Sequence, residues 1–303
     1  MPQRSLVWKG VFPAATTEFT EDLAIDFDAT LAGFERLIGA GMHGLVLMGT
    51  VGEGNVLSGE EKRALLGRAV RLSSGRVPII AGVSELTTRE AARFAHDAEA
   101  IGADGLMVLP AMVYVPTEEE LILHFREIAG ATNLPIMLYN NPPAYRVAIG
   151  IGTIRSLLDL PNIVCVKESS PDTGRFTDMA NAFGDRLTFF AGLDDVVLEA
   201  LLLGARGWVS GLADAFPSES LALWKAIEVG DLARARTIYR WFMPLLHLDA
   251  GHDLVQAIKL VQATMGLGSE RVRPPRWPLT GARRDEVKAI VRVGLENRAE
   301  IST

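Results

Sequence analysis

The chain has 303 residues, a formal net charge of −7, 49% hydrophobic residues and 22% charged ones, the balance of a globular protein that needs no metal or disulfide to bury its core. Its charges are interspersed, with no basic stripe for nucleic acid, and no apolar run approaches the ~18 residues of a membrane span. The first ten residues lack the apolar stretch of a secretory signal, and a single cysteine, Cys165, excludes an intrachain disulfide and suits a cytoplasmic protein.

In chain order, short strand-like runs fall at 11–17, 44–49, 78–83, 105–110, 135–140, 163–168, 187–192 and 207–211. Most are continuously apolar, as parallel strands covered on both faces are. A helix-like segment follows each, and an unbroken series of such units predicts a (β/α)8 TIM barrel. Ser58-x-x-Glu61, Thr87-x-x-Glu90 and Thr117-x-x-Glu120 read as capping boxes. Gly41, Gly102 and Gly204 stand where a helix must end and turn tightly into a strand. Beyond about residue 217 the pattern is helical, broken at 268–280 by Pro274, Pro275 and Pro278. The expected organisation is a barrel over 1–225 and a C-terminal helical extension over 226–303 packed on it.

Barrel enzymes place their chemistry at the C-terminal ends of the strands. Lys167 ends the sixth predicted strand and shares a face with Cys165 by the period of two. An ammonium is disfavoured in a partly apolar barrel mouth, and a neutral amine there attacks carbonyls. Position alone leaves a second reading open, a structural lysine paired with Glu168. Tyr139 ends the fifth strand, where a phenol either moves protons or simply packs. Asn140-Asn141-Pro142-Pro143 reads as a turn. Gly49-Thr50-Val51-Gly52-Glu53 follows the second strand, and its backbone amides suit a carboxylate, although a plain glycine-rich turn fits as well. Asp194 and Asp195, after the seventh strand, suggest helix caps. Val209 lines the end of the eighth. His247, Asp249, His252 and Asp253 match no trusted metal spacing, so neither a metal nor another cofactor is expected. His43, His96 and His124 suggest stability or packing.

Four strand ends match one pattern: G-T-V-G-E at 49–53, Y-N-N-P at 139–142, V-K-E-S at 166–169 and A-G-L-D-D at 191–195. Together they resemble the dihydrodipicolinate synthase / N-acetylneuraminate lyase family, from about Gly10 to at least residue 265. The resemblance implies a class I, lysine Schiff-base lyase acting on a small 2-oxo acid. It makes Lys167 the Schiff-base residue, Tyr139 the proton donor and acceptor, and Thr50 the hydroxyl bonded to that tyrosine. Gly49, Thr50 and Val51 would hold the substrate carboxylate, with Val209 nearby. It also implies a homotetramer built as a dimer of dimers.

The departures concern the substrate. Val51 replaces the second threonine of the lysine-pathway synthases, Val113 rather than Tyr114 falls at their intersubunit tyrosine, and Ala144 replaces an arginine, with Arg146 two residues on. The stretches L-P-A-M-V-Y (109–114), Y-N-N-P-P-A-Y (139–145) and Y-R-W-F-M-P-L-L-H-L-D (239–249) resemble a hydroxyproline-degrading subgroup. Its reaction deaminates 1-pyrroline-4-hydroxy-2-carboxylate to 2-oxoglutarate semialdehyde. The alternatives are a lysine-pathway synthase, an aldolase or dehydratase of a sugar-derived 2-oxo acid, and, outside enzymes, a ligand-binding barrel.

Overall fold

The apolar runs close into a ring. A computed structural model describes residues 6–111 and 114–298, and its strands are β1 (Gly10–Ala15), β2 (Leu45–Leu47), β3 (Ile79–Val83), β4 (Gly105–Val108), β5 (Ile136–Asn140), β6 (Ile163–Glu168), β7 (Thr188–Ala191) and β8 (Gly207–Ser210). All neighbours are parallel, and β8 pairs back onto β1. The helices are α1 (Phe27–Gly39), α2 (Gly59–Ser73), α3 (Thr88–Ile101), α4 (Glu118–Gly130), α5 (Pro142–Tyr145), α6 (Ile151–Arg155), α7 (Gly174–Phe183), α8 (Val197–Leu202) and α9 (Pro217–Glu228). Then come α10 (Leu232–Leu246), α11 (Leu254–Thr264) and α12 (Gly281–Glu296); α12 packs on both α10 and α11, and α10 also packs against α9. The fold is the expected TIM barrel with C-terminal helices.

Alternation along each strand sorts the core into two layers. Phe12, Val46, Met137, Cys165 and Phe190 fill the barrel interior. Val11, Leu45, Leu138, Val166 and Trp208 belong to the layer between the barrel and its helices. Trp8 stacks on Phe12 and meets Phe190 edge-on near the strand starts.

Local signals act largely as expected. Ser58 and Thr117 form reciprocal capping boxes, but Thr87 accepts only the Glu90 amide. Gly41, Gly102 and Gly204 adopt φ of 90°, 103° and 106°. The second strand is shorter than predicted. Met48 turns left-handed at φ 58°, and the chain folds back on itself so closely that a Cβ at Gly54 would lie 1.8 Å from the Met48 carbonyl oxygen. The glycines of this turn are therefore a packing requirement. His43 accepts the Val11 amide at 3.1 Å, and His124 bridges Thr88 and the Leu109 carbonyl, so both serve packing; His96 is exposed beside Asp97.

Candidate active site at the barrel mouth

Strand register sets the site. Between Ile136 and Met137 the β5–β6 pairing shifts by one residue, and after it Tyr139 lies directly opposite Lys167. An unshifted ladder would place Val166 there and turn the lysine away. On the other side Lys167 is opposite Phe190 of β7, and beyond that strand comes Gly192, where a Cβ would sit 2.8 Å from Lys167 Cε. Glycine at that strand end leaves the channel in which the lysine lies.

Lys167 is 5% exposed, and its Nζ stands 4.0 Å from the centre of the Tyr139 ring. The structural alternative, a pair with Glu168, does not form. Glu168 points the other way, taking both oxygens to Asn140 Nδ2 at 2.8 Å, the Ser170 amide at 2.9 Å and Arg175 Nε at 2.9 Å. Its charge is thus satisfied behind the strand.

All six residues singled out from sequence line one cavity: Lys167, Tyr139, Thr50, Val51, Gly49 and Val209. It encloses about 20 Å³, room for about one water molecule, so an occupant of more than a few atoms must spread the mouth. The polar side chains in it are Lys167, the Tyr139 phenol, the Thr50 hydroxyl, the Asn141 amide and the Asp249 carboxyl. That set can form and protonate an imine. The histidine-rich stretch builds no comparable set. His247 pairs with Asp195 at 3.0 Å and Asp253 with Arg283 at 2.7 Å, and among the described residues no group of three metal-ligating side chains converges.

The relay differs from the expected one. Thr50 does not bond Tyr139 directly; its hydroxyl meets the Tyr145 hydroxyl instead. Tyr145 reaches that position because Asn141 caps α5, accepting the Ala144 amide at 3.1 Å while Pro142 and Pro143 start the turn. The same Asn141 donates to the Tyr139 hydroxyl at 2.8 Å. The two tyrosine rings meet edge-on at 5.8 Å. Burial, then the Tyr139 charge, push the Tyr145 phenol far above its usual value, which keeps its proton in place. Thr50 and Tyr145 are thus joined through their hydroxyls, and Tyr145 packs edge-on against Tyr139, within a single subunit. Tyr145 carried no role in the sequence reading; the signal was its place at the end of the one-turn helix that Asn141 and two prolines enforce.

The other departures resolve unevenly. Val113 lies outside the described residues. Tyr114 is 60% exposed and donates to Glu120 at 2.9 Å. Ala144 and Arg146 are exposed and do not line the cavity.

Asp194 corrects a further expectation. It does not cap the next helix. Fully buried, it accepts from Trp208 Nε1 at 2.7 Å, Ser210 Oγ at 3.0 Å and the Leu212 amide at 2.9 Å, tying the end of β7 to β8. Burial pushes it up to about 6. Asp249, from the turn between α10 and α11, also lines the cavity, a residue that sequence spacing placed far from the barrel.

The 49–53 turn is held from behind. Glu53 and Lys259 of α11 are fully buried and 3.4 Å apart, Lys259 donates to the Thr17 carbonyl at 2.7 Å, and the Arg273 amide donates to Glu53 at 3.1 Å. Burial pushes the carboxyl up and the ammonium down, each opposed by the other's charge. Lys259→Met strands the carboxylate and is expected to cost about 3 kcal/mol. A urea midpoint unchanged from the parent would contradict this.

A barrel whose mouth gathers a buried lysine, a hydroxyl relay and buried acids has the layout of a class I lyase. The family model described as the dihydrodipicolinate synthetase family matches residues 7–293, and the chain belongs to that family. It is an enzyme of the aldolase-like lyase type. It is 35% identical to the 4-hydroxy-tetrahydrodipicolinate synthase of Sorangium cellulosum over 97% of this chain and 98% of that one. It is also 35% identical to the enzyme of the same name from Exiguobacterium sibiricum, over 90% and 92%. Among solved structures, the 4-hydroxy-tetrahydrodipicolinate synthase of Methylacidiphilum fumariolicum superposes with a TM-score of 0.92 at 30% identity, covering 97% of this chain and 98% of that one. A prophage protein of the same family from E. coli K12, solved in complex with pyruvate, gives 0.90 at 28% identity over 95% and 99%. The curated relatives carry the synthase name, which favours the synthase alternative over the hydroxyproline one.

Proposed function

We propose that the protein forms a Schiff base at Lys167 with 1-pyrroline-4-hydroxy-2-carboxylate and deaminates it to 2-oxoglutarate semialdehyde. The observation that carries this is the relay closed within one subunit, Thr50 to Tyr145, beside a segment whose Ala144 and Arg146 both lie outside the cavity. A condensing synthase must orient a second, charged carbonyl compound, and this segment offers no cation for it. One hydroxylated cyclic imine needs none.

In this reading Lys167 attacks C2 of the imine, and the ring nitrogen leaves C2 as the lysine imine forms. Tyr139 moves the C3 proton, with the iminium as electron sink. The 4-hydroxyl departs as water, loss of a C5 proton and return of protons to C3 and C4 turn the C5 amine into an imine, and hydrolysis of the C5 and C2 imines frees ammonia, the semialdehyde and the lysine. Amides of Gly49, Thr50 and Val51 hold the carboxylate, and Val209 closes the opposite wall.

A specific observation favours the second reading: the relatives named above are synthases. A condensing enzyme joins the lysine enamine of pyruvate to an aspartate-derived aldehyde. The two separate in one assay. The pyrroline is expected to release ammonia stoichiometrically, and pyruvate with the aldehyde is expected to give little product. Condensation without ammonia release from the pyrroline would make the synthase reading the correct one.

The proposal extends to assembly and place. We take residues 226–303 as an extension of the barrel, and the cytoplasm as its compartment. Among the described residues no helix is long and apolar enough to cross a membrane. Tyr114, Val115 and Leu123 expose apolar surface in one region, the kind of patch that self-association covers. Light scattering is expected to give a tetramer at micromolar concentration, and a monomer would contradict it.

A further inference from the structure

We propose that Asp249 is the general acid of this site, giving its carboxyl proton to an oxygen that leaves C4 of a 2-oxo acid or cyclic imine held on Lys167. The proposal rests on the deaminase reading above, a Schiff base at Lys167 followed by loss of the 4-hydroxyl, and adds the group that reading lacks. Tyr139 accounts for the proton at C3. Nothing assigned so far protonates the departing hydroxyl, which is a poor leaving group as hydroxide.

The geometry points to this carboxyl. Asp249 ends the short turn His247–Asp249 after α10, is 5% exposed, and lines the same cavity as Lys167 and Tyr139. The end of β8 leaves space for it: a Cβ at Gly211 would lie 2.3 Å from Asp249 Oδ1. The charged groups acting on it are Lys167 from β6 and Asp194 and Asp195 from the segment after β7. Tyr139 stands on β5, on the other side of Lys167. The base therefore comes from the neighbouring strand β5, and the acid from the turn after α10, which lies over the end of β8.

Two buried carboxyls side by side do not both ionise readily. Asp194 accepts three hydrogen bonds, from Trp208, Ser210 and the Leu212 amide, and these favour its charged form. Asp249 takes the Asp194 amide. The proton therefore rests on Asp249. Consistently, burial first, and then the Asp194 charge, hold Asp249 well above the usual carboxylate range, against the pull of Lys167. A pair of acids pushed apart in this way is how one site supplies a protonated carboxyl at neutral pH.

The step balances. Once the C3–H bond has broken and its electrons have formed the enamine, those electrons make the C3–C4 double bond. The C4–O bond breaks with its pair on oxygen, the Asp249 proton joins it, and water leaves. Asp249 remains as carboxylate and recovers a proton from solvent before the next turnover.

The test uses the full-length enzyme, its Asp249→Asn variant, and two substrates, the 4-hydroxy pyrroline and its 4-fluoro analogue, whose leaving fluoride depends far less on a proton. The variant is expected to form the borohydride-trapped pyruvate adduct as the parent does. It should lose about 10²- to 10⁴-fold in kcat on the hydroxy substrate and less than about tenfold on the fluoro one. In the parent, kcat on the hydroxy substrate should fall as pH rises through the Asp249 titration, and this limb should be absent with the fluoro analogue. That comparison needs no variant. Equal losses on both substrates, a shared alkaline limb, near-parental turnover, or loss of the pyruvate adduct in the variant would each overturn the role. Absence of an adduct in the parent would instead sink the Schiff-base reading, and this role with it.

Discussion

Lys167→Ala is expected to lower turnover by about 10⁴-fold or more, the scale of loss when a covalent nucleophile is removed. The fold should survive. Lys167 has no carboxylate partner among the described residues, and Glu168 beside it is satisfied by Asn140, Ser170 and Arg175. Asp194, the buried carboxylate that Lys167 faces, keeps its three hydrogen bonds, so the thermal midpoint should stay within a few degrees. Activity within about tenfold of the parent would mean that the lysine is structural. Steady-state rates and a thermal melt of the same preparation separate the two cases.

The second large effect concerns the tyrosines. Tyr139→Phe is expected to lower kcat by about 10²- to 10⁴-fold, the range for a positioned proton-transfer group. Tyr145→Phe should lower it by about 10²-fold with little change in KM, because Tyr145 bonds Thr50 and packs edge-on against Tyr139 without standing over the lysine. Groups acting in one relay are not additive. The double variant is therefore expected to lose little beyond the Tyr139→Phe loss. Fully additive losses would show that Tyr145 acts independently, and the single-subunit relay would be wrong.

How much of this was legible beforehand differs between fold and site. The barrel was legible because its strands are apolar on both faces and several of its helices begin at a capping residue such as Ser58 or Thr117. The strand-end residues were legible for the same reason, since a barrel fixes which end carries chemistry. What sequence could not supply was side-chain direction across elements. Asp194 looked like a helix cap because aspartate often is one, yet it turns inward to Trp208. Tyr145 follows Tyr139 by six residues, and only the Asn141-capped turn returns it to Thr50. Asp249 is separated from Lys167 by two further strands, and its approach depends on how α10 and α11 lie over the mouth. The register shift in β6 was equally invisible, although it decides that Tyr139 and not Asn140 faces the lysine.

The central claim is that Lys167 carries the substrate covalently. The most direct measurement is borohydride reduction of the full-length enzyme incubated separately with the 4-hydroxy pyrroline, pyruvate and a sugar-derived 2-oxo acid, followed by intact-mass and peptide analysis. The account predicts a mass increment matching the pyrroline-derived or pyruvate-derived carbon skeleton, mapped to the peptide bearing Lys167 and absent from Lys167→Ala. No adduct with any of the three, or an adduct on another lysine, would contradict it.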